Sequence, residues 1–343
     1  IMAYITFQPS DHFNTKLWTG TGSENAITGI GFQPDWVWIK QRNTTRDHNA
    51  FDAVRLATKR IYPNAANAEE TAAQVLKSFD SDGFTLGTDT SANQSSGTYV
   101  GWNWKANGAG SSNSNGSITS TVSANSTAGF SIVKYTGTGS NATIGHGLST
   151  APTALFVKNL DAAEQWINYD VSSGPTKYYH LNMSSATSVG STIWNNTAPT
   201  TSVFSVGTVA NVNTNGANYI AYCFSNIPGF SKVGGYKGNG SAGNGTFVYT
   251  GFKPSFILVK RTNDAGNWVL KSQASPGYNV NNNYIYGNLD NAEASGSAVD
   301  FLSNGFKWRV DGANQNGSGD SYIYLAFAEE PLVSSNGIPA TAS

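Results

Sequence analysis

Apolar runs bounded by glycine and proline recur along the chain, and they predict β-strands. Residues 36–40 are apolar at nearly every position, and residues 154–158 and 256–260 follow the same pattern. A run without alternation indicates a central strand that is covered on both faces, or a strand at a contact between domains. A proline stands two residues before each run, at a strand entrance, where its missing N–H does least harm.

These runs belong to a longer pattern that occurs three times. Each copy has a Gly-x-Gly-Ser loop, then the proline-led strand, and finally a closing aromatic strand. The copies of the three blocks are residues 13–23, 31–40 and 99–104; 130–140, 147–158 and 219–224; and 230–241, 251–260 and 322–327. The anchors Gly31, Gly147 and Gly251 lie 116 and 104 residues apart, which is the size of a domain and not of a solenoid turn.

Short strands, many turn residues and this repeat length predict an all-β chain with minor helix. We expect three homologous antiparallel β-sandwich domains in tandem, of the jelly-roll or lectin-like kind. The predicted parts are repeat 1 at residues 2–108, a Gly/Ser/Asn linker at 109–116, repeat 2 at 117–228, repeat 3 at 229–332 and a polar tail at 333–343. The linker predicts a loose hinge for the first repeat, whereas the short junction after the second predicts close packing.

Local signals add two hairpins and two helices to this plan. Asp82 and Asn304 each precede a glycine, and such pairs are strong hairpin signals because both residues tolerate positive φ. Residues 67–76 have a capping residue and early acidic positions, which predict a helix, and residues 288–294 are a weaker copy of it.

Composition narrows the classes of partner. Lys and Arg number 20 against 21 Asp and Glu, so no basic excess exists for a nucleic acid, and only 12% of the residues are charged. No apolar run has the length of a membrane helix, and no signal peptide is visible, so we expect no membrane insertion. Cys223 is the single cysteine and is expected to be a buried structural thiol. No cofactor motif is present, and no cofactor is predicted.

Aromatic side chains are the main candidates for a binding role. Trp36 and Trp38 lie two apart on one strand and so point to one face, as do Trp102 and Trp104. They indicate either a packing face or a platform for sugar rings or a partner protein. The further candidates are on predicted loops: Trp166, Tyr178, Tyr179, Trp194, Trp268 and Trp308.

Polar clusters give weaker candidates. Asp80, Asp82 and Asp89 could supply oxygens to calcium, but the alternative is an ordinary turn, because the third repeat keeps the turn and loses the charge. A polysaccharide-degrading enzyme would need paired carboxylates, and the candidates, by proximity in sequence only, are Glu69, Glu70, Asp80, Asp82 and Asp89. The four histidines form no metal or catalytic motif, and each is predicted at the surface or in a turn. We expect no catalytic residues.

The repeated motifs resemble a recurrent domain of virion proteins from marine tailed phages that infect cyanobacteria and pelagic alphaproteobacteria. The matching motifs are residues 31–40, 78–84, 135–140 and 219–224, and the resemblance covers residues 2–332. It implies a tail-fibre, tail or head-surface protein, of a family often labelled concanavalin-like lectin or glucanase. It carries no catalytic residue set, and fold-level likeness does not establish sugar binding.

Three functions follow from this resemblance and the composition. The first is a non-enzymatic tail-fibre or receptor-binding appendage that contacts other virion proteins and a polysaccharide or protein receptor on the host surface. The second is a capsid decoration protein, and the third is a polysaccharide-degrading enzyme. We expect a homo-oligomer, with a trimer typical of fibres, although three copies in one chain could act as a monomer. The expected location is the virion surface, after assembly in the host cytoplasm and release by lysis.

Overall fold

The computed structural model describes residues 7–275 and 278–330, and it is all-β, with 43% strand and 3% helix. A 3-10 helix spans Pro9–Asp11, and two helices of four residues are α1 (Thr90–Asn93) and α2 (Ala210–Asn213). No helix among the described residues is long and apolar enough to cross a membrane.

The strands fall into three segments that correspond to the three sequence copies. The first segment contains β1 (Phe13–Thr19), β2 (Asn25–Thr28), β3 (Trp36–Gln41), β4 (Asn49–Asp52), β5 (Lys59–Arg60), β6 (Glu70–Thr71), β7 (Leu76–Asp80), β8 (Gly83–Leu86) and β9 (Thr98–Trp104). The second contains β10 (Ser111–Asn113), β11 (Ser120–Asn125), β12 (Phe130–Thr136), β13 (Ala142–Gly145), β14 (Ala154–Asn159), β15 (Ile167–Asp170), β16 (Lys177–Tyr178), β17 (Ser188–Val189), β18 (Val203–Val206) and β19 (Asn218–Phe224). The third contains β20 (Ser231–Lys237), β21 (Phe247–Tyr249), β22 (Phe256–Arg261), β23 (Val269–Ser272), β24 (Asn281–Tyr286), β25 (Ala294–Leu302), β26 (Gly305–Trp308) and β27 (Ser321–Phe327).

One antiparallel sheet has the same strand order in every segment. The orders are β1-β9-β3-β4, β12-β19-β14-β15 and β20-β27-β22-β23, and β10 and β11 extend the second sheet at its edge. The register is also the same, since the first residue of the central strand faces the last residue of the closing strand. These pairs are Trp36 with Trp104, Ala154 with Phe224, and Phe256 with Phe327.

A second layer lies beyond each of these sheets. It consists of β2-β8-β7 in the first segment and β13-β18 in the second. In the third segment the two layers are continuous, because β24 pairs with both β23 and β25, and all eight strands form one nearly closed sheet. Two short ladders, β5-β6 and β16-β17, lie outside these layers.

The central strands are buried on both faces, which explains their unbroken apolar runs. Every residue of β3 and β14 is buried. Alternate side chains point to opposite faces, so Val37 packs in the core of the first segment. Trp38 points the other way and joins a common core, together with its equivalents Phe156 and Leu258. Both alternatives for the apolar runs are therefore true: one face covers the segment's own core and the other packs against the other two segments.

The three segments are joined in a ring by equivalent hydrogen bonds. The first segment donates a hydrogen bond to the second, the second donates to the third, and the third donates to the first. The backbone bonds are Glu69 N–H to Leu160 O (2.8 Å), Thr187 N–H to Thr262 O (3.0 Å) and Glu293 N–H to Arg42 O (2.7 Å). The acceptors each lie two residues after the equivalent lysines Lys40, Lys158 and Lys260.

A second ring of hydrogen bonds is made by the side chains of the three residues that directly precede β4, β15 and β23. Here the ring nitrogens donate to backbone carbonyls of the neighbouring segment: His48 Nε2 to Leu289 O (3.0 Å), Trp166 Nε1 to Tyr62 O (2.8 Å) and Trp268 Nε1 to His180 O (2.8 Å). His48 is fixed as this tautomer because its Nδ1 accepts a hydrogen bond from Trp38 at 2.8 Å. Burial lowers the pKa of His48 to about 3, so the ring is neutral.

Several local predictions change in the structure. Both hairpins are present, β7-β8 around Asp82 and β25-β26 around Asn304. The helices predicted at residues 67–76 and 288–294 are wrong: the first stretch is turn and the short strand β6, and the second is turn and the start of β25. Tertiary contacts override helix propensity here, because Glu69 and Glu293 supply the backbone donors of the ring.

The predicted linker at residues 109–116 contains β10, which pairs with β11. The predicted tail at residues 333–343 lies outside the described residues. Cys223 is buried and free, as predicted. The surface prediction is wrong for His48 and His146, which are wholly buried.

Candidate functional site

The four paired tryptophans lie in the common core. Trp36, Trp38, Trp102 and Trp104 are each 1% exposed. Trp36 stacks on Tyr222 of the second segment, with ring centroids 4.3 Å apart. Their large apolar area is therefore used to hold the segments together, which is the packing alternative, and none of the four indoles presents a face to a sugar.

The loop aromatics are also mostly structural. Trp166, Tyr179, Trp194, Trp268 and Trp308 are buried, and Tyr178 is half-buried. Each of the four indoles donates a hydrogen bond, and besides Trp166 and Trp268 these are Trp194 to Lys177 O (3.1 Å) and Trp308 to Tyr236 Oη (2.9 Å). Of the aromatic candidates from the sequence, only Tyr178 keeps an accessible ring.

The three aspartates proposed for calcium are engaged separately. Asp82 accepts from the N–H groups of Gly29 (2.9 Å) and Gly31 (2.7 Å), which lower its pKa. Asp80 accepts from two hydroxyls beside its own hairpin, and Asp89 caps α1 by accepting from Ser91 N–H at 2.8 Å. Within residues 7–275 and 278–330, no group of three His, Cys, Asp or Glu side chains could hold a metal ion.

A buried asparagine explains the repeated Gly-x-Gly-Ser loop. Asn93 Oδ1 accepts from Thr21 N–H at 2.8 Å, and its Nδ2 donates to Gly87 O at 2.7 Å. Asn213 and Asn316 make equivalent bonds in the other segments. Only glycine fits the first loop position, because a Cβ on Gly137 would lie 2.3 Å from a backbone oxygen. The loop therefore has a structural role, since the asparagine fixes its backbone. The sequence alone did not single out this asparagine, although it recurs in all three copies.

An open polar cleft of about 870 Å³ lies at the end of β3 in the first segment, and Asp290 of the third segment completes it. Most lining side chains carry amide, hydroxyl or charged groups. The lining residues are Gln41, Asn43, Thr44, Thr45, Arg46, Asp47, Asn49, Arg60, Tyr62, Asp89, Thr90, Ser91, Gln94, Ser95, Ser96, Gly97 and Asp290. Three aspartates and two arginines leave it close to neutral.

One wall of the cleft is a rigid group of side chains around Tyr62. The Arg60 guanidinium lies 4.7 Å from the centre of the Tyr62 ring. Glu70 accepts from Tyr62 Oη at 2.5 Å and from Arg60 Nε at 2.7 Å. The hydrogen bond from Tyr62, with help from Arg60, lowers the pKa of Glu70. Tyr62 thus presents an oriented aromatic ring beside a fixed cation.

Another part of the lining comes from the loop after β3 and from the residues after α1. Arg46 N–H donates to Asp290 O at 2.8 Å, which ties this loop to the third segment. The Arg46 side chain makes one long contact, to Gln94 Oε1 at 3.4 Å. Behind this part of the lining, Lys40 Nζ donates to Gln41 O (2.7 Å) and Thr44 O (3.3 Å), and burial lowers its pKa to about 8. The buried lysine therefore fixes the backbone of this loop through its bonds to the two carbonyl groups.

This arrangement offers many donors and acceptors, one aromatic ring and little net charge. Such a surface suits a polar, uncharged ligand that presents several hydroxyls. No sequence motif marks the cleft, because its residues come from positions 41 to 97 and from 290. The cleft could have been predicted only from the positions of its loops, because the loops that follow the central strand and α1 meet at one end of the sheet.

Fold and cleft together define an all-β protein with an open polar cleft at the junction of two segments. Residues 8–331 match a family described as a domain of unknown function, DUF7483. The chain belongs to this family. No curated protein and no solved structure matches it.

Proposed function

We propose that the chain is a structural protein of a bacteriophage virion, a tail-fibre or receptor-binding appendage that holds a host surface polysaccharide in the cleft of the first segment. The observation that carries the binding role is the open cleft of about 870 Å³ with its amides, hydroxyls and Tyr62 ring. The virion assignment rests on the resemblance of the repeated motifs to phage virion proteins.

We also propose that the three segments are homologous β-sandwich domains. Their shared strand order, their shared register and the equivalent asparagine clamps support this. The rings of hydrogen bonds between segments give one chain an approximate threefold arrangement. A threefold appendage could therefore consist of one copy, and light scattering on the purified chain distinguishes a monomer from the expected homo-oligomer.

A binding role is favoured over polysaccharide cleavage by the state of the candidate acids. A general acid in glycoside hydrolysis needs a raised pKa. The pKa values of Glu70 and Asp82 are both lowered by their hydrogen-bond donors, so each favours the ionised form. Glu70 is in addition held by Arg60 and Tyr62.

The binding proposal is tested on an array of bacterial surface polysaccharides, including capsules and lipopolysaccharide O-chains. We expect the full chain to bind at least one polysaccharide, and the double variant Arg46→Ala/Gln94→Ala to bind it about tenfold more weakly or worse. Gln94 Oε1 accepts only long hydrogen bonds, from Arg46 Nη2 at 3.4 Å and from Gln41 Nε2 at 3.5 Å, so the fold should survive their loss. Lys177→Ala, which removes a charge from an exposed side chain outside the cleft, should bind normally. Equal binding by all three proteins, or no binding at all, would contradict the proposal.

The virion location is tested by fractionating particles that carry this protein. A receptor-binding appendage should leave with the tails and compete with whole particles for host cells. Recovery with emptied, tailless heads would instead favour capsid decoration, and absence from both fractions would refute a virion role.

A further inference from the structure

The Arg60–Tyr62 wall of the cleft has an equivalent in each segment. Ile61, Tyr179 and Ile285 are buried and pair with the second residue of β4, β15 and β23 respectively. Because neighbours on an extended chain point to the opposite side, the flanking side chains face outward. The flanking pairs are Arg60 with Tyr62, Tyr178 with His180, and Tyr284 with Tyr286.

The third segment has a half-open cavity of about 220 Å³ at this equivalent place. Tyr284 and Tyr286 form one wall, with ring centroids 5.0 Å apart at 67°. The facing wall begins at Gly312, which accepts from Asn316 N–H at 2.8 Å just as Asp89 in the cleft accepts from Asn93 N–H at 2.9 Å. The cavity and the cleft therefore occupy corresponding positions in two segments.

The chemistry of the cavity differs from that of the cleft in one respect. None of its lining residues is charged; they are Val269, Tyr284, Tyr286, Gly296, Ser297, Gly312, Ala313, Asn314 and Gln315. Hydrogen bonds fix the positions of its polar side chains, because Asn314 Nδ2 donates to Tyr286 Oη at 3.3 Å and Gln315 Nε2 donates to Ser297 Oγ at 3.1 Å. Two aromatic rings with amides and a hydroxyl suit a neutral sugar unit, which has an apolar face and a polar rim. The cavity has about a quarter of the volume of the cleft, 220 Å³ against 870 Å³, so it suits one small unit rather than a chain.

The cavity lies close to the cleft. Tyr286 lines the cavity and Asp290 lines the cleft, so they are at most about 14 Å apart even on a fully extended chain. The loop between them is fixed on the first segment, because Leu289 O accepts from His48 and Asp290 O accepts from Arg46 N–H. The two sites thus have a fixed spacing.

We propose that the tyrosine cavity of the third segment is a second saccharide subsite, which takes a neutral sugar unit of the same extended glycan that occupies the cleft. This inference rests on the proposed function, and it adds that the ligand is a chain long enough to span both sites. Linking two sites through one ligand raises the affinity for longer chains.

The test is calorimetric titration of the full chain with cello-, malto-, xylo-, manno- and laminari-oligosaccharides of one to eight units. We expect affinity to rise at least tenfold between the shortest fragment that binds and the fragments that reach the cavity. Tyr284→Ala should weaken the long fragments about fivefold to tenfold and leave the short ones unchanged, whereas Tyr284→Phe, which keeps the ring, should bind normally. Tyr249→Ala, at an exposed tyrosine on β21, is the control.

A second variant keeps the test valid should Tyr284→Ala fail to fold. Ala313→Trp places a large ring at an exposed lining position and should block the cavity with the same loss. Its matched control is Ala210→Trp, at the equivalent exposed position of the second segment, where the backbone oxygen likewise accepts from a tyrosine hydroxyl.

The outcomes separate the two proposals. If affinity does not depend on chain length, and the cavity variants bind normally while Arg46→Ala/Gln94→Ala does not bind, the second subsite is refuted and the cleft stands. If none of these oligosaccharides binds, the second subsite for a neutral sugar unit is refuted, while the cleft is judged on the polysaccharide array. If the cleft variant binds like the wild type, both proposals are overturned.

Discussion

Asp170 at the junction of the second and third segments makes stability depend on pH in a defined way. It is 3% exposed, and burial raises the pKa of Asp170 from 3.8 to about 7 although Ser172 N–H donates to it at 2.8 Å. The equivalent carboxylate of the first segment, Asp52, is paired with Arg55 at 2.5 Å. At the position of Arg55 the second segment has Ser173.

The pKa difference sets the expected magnitude. Below about pH 4 the carboxyl is protonated in both the folded and the unfolded chain, so it does not lower the free energy of unfolding. Between about pH 4 and 7 the folded chain keeps a proton that the unfolded chain has lost, so this group lowers stability as the pH rises. Above about pH 7 the full cost is present, at most about 4 kcal/mol.

Asp170→Asn removes this cost while it keeps an oxygen for Ser172. We expect the variant to gain about 2 to 4 kcal/mol of unfolding free energy at pH 8 and well under 1 kcal/mol at pH 4, as measured by urea denaturation. Asp11→Asn, at an exposed carboxylate, is the control and should change the free energy of unfolding by less than about 0.5 kcal/mol. An equal gain at both pH values, or a loss at pH 8, would refute the reasoning.

Three further substitutions test the joints of the fold. Asn213→Ala removes the clamp of the second Gly-x-Gly-Ser loop and should lower the free energy of unfolding by about 2 to 4 kcal/mol, whereas Asn211→Ala, at a half-buried position on the same helix, should cost less than about 1 kcal/mol. Trp166→Phe replaces the indole by a smaller phenyl ring and removes the bond that joins it to Tyr62 O, which then accepts only from Ala65 N–H at 3.2 Å, and calorimetric melting should show a loss of about 1 to 2 kcal/mol. Gly137→Ala forces a Cβ to within 2.3 Å of Thr214 O and should lower the melting temperature more than Gly216→Ala, where the added Cβ has open space but φ is positive. A larger effect of the second member of either matched pair, or no effect of Trp166→Phe, would contradict these roles.

The strands and hairpins could be predicted from the sequence because their signals are local. An unbroken apolar run such as that of β3 requires cover on both faces, whatever supplies it. The sequence does not show what covers the second face of β3. Trp36 and Trp38 were therefore consistent with both a buried packing face and a binding platform at the surface. That choice depends on how three distant segments close on one another.

The errors have the same origin. Residues 67–76 have helical composition, but the backbone N–H of Glu69 donates to Leu160 O and its carboxylate pairs with Arg55, and these contacts override the local propensity. His48 lacks any motif, yet it completes a ring of bonds in which the other two members are tryptophans. The cleft was not predicted because it combines the first segment with Asp290, about two hundred positions later in the chain.

The proposed binding role requires that the first and third segments together hold a glycan chain. The most direct measurement is a crystal structure of the protein with the longest oligosaccharide that binds. We expect continuous sugar density from the Tyr62 ring and Arg46, past Asp290, to a unit against Tyr284 and Tyr286. Sugar density confined to another face, with both sites filled by solvent alone, would contradict a glycan site shared by these two segments.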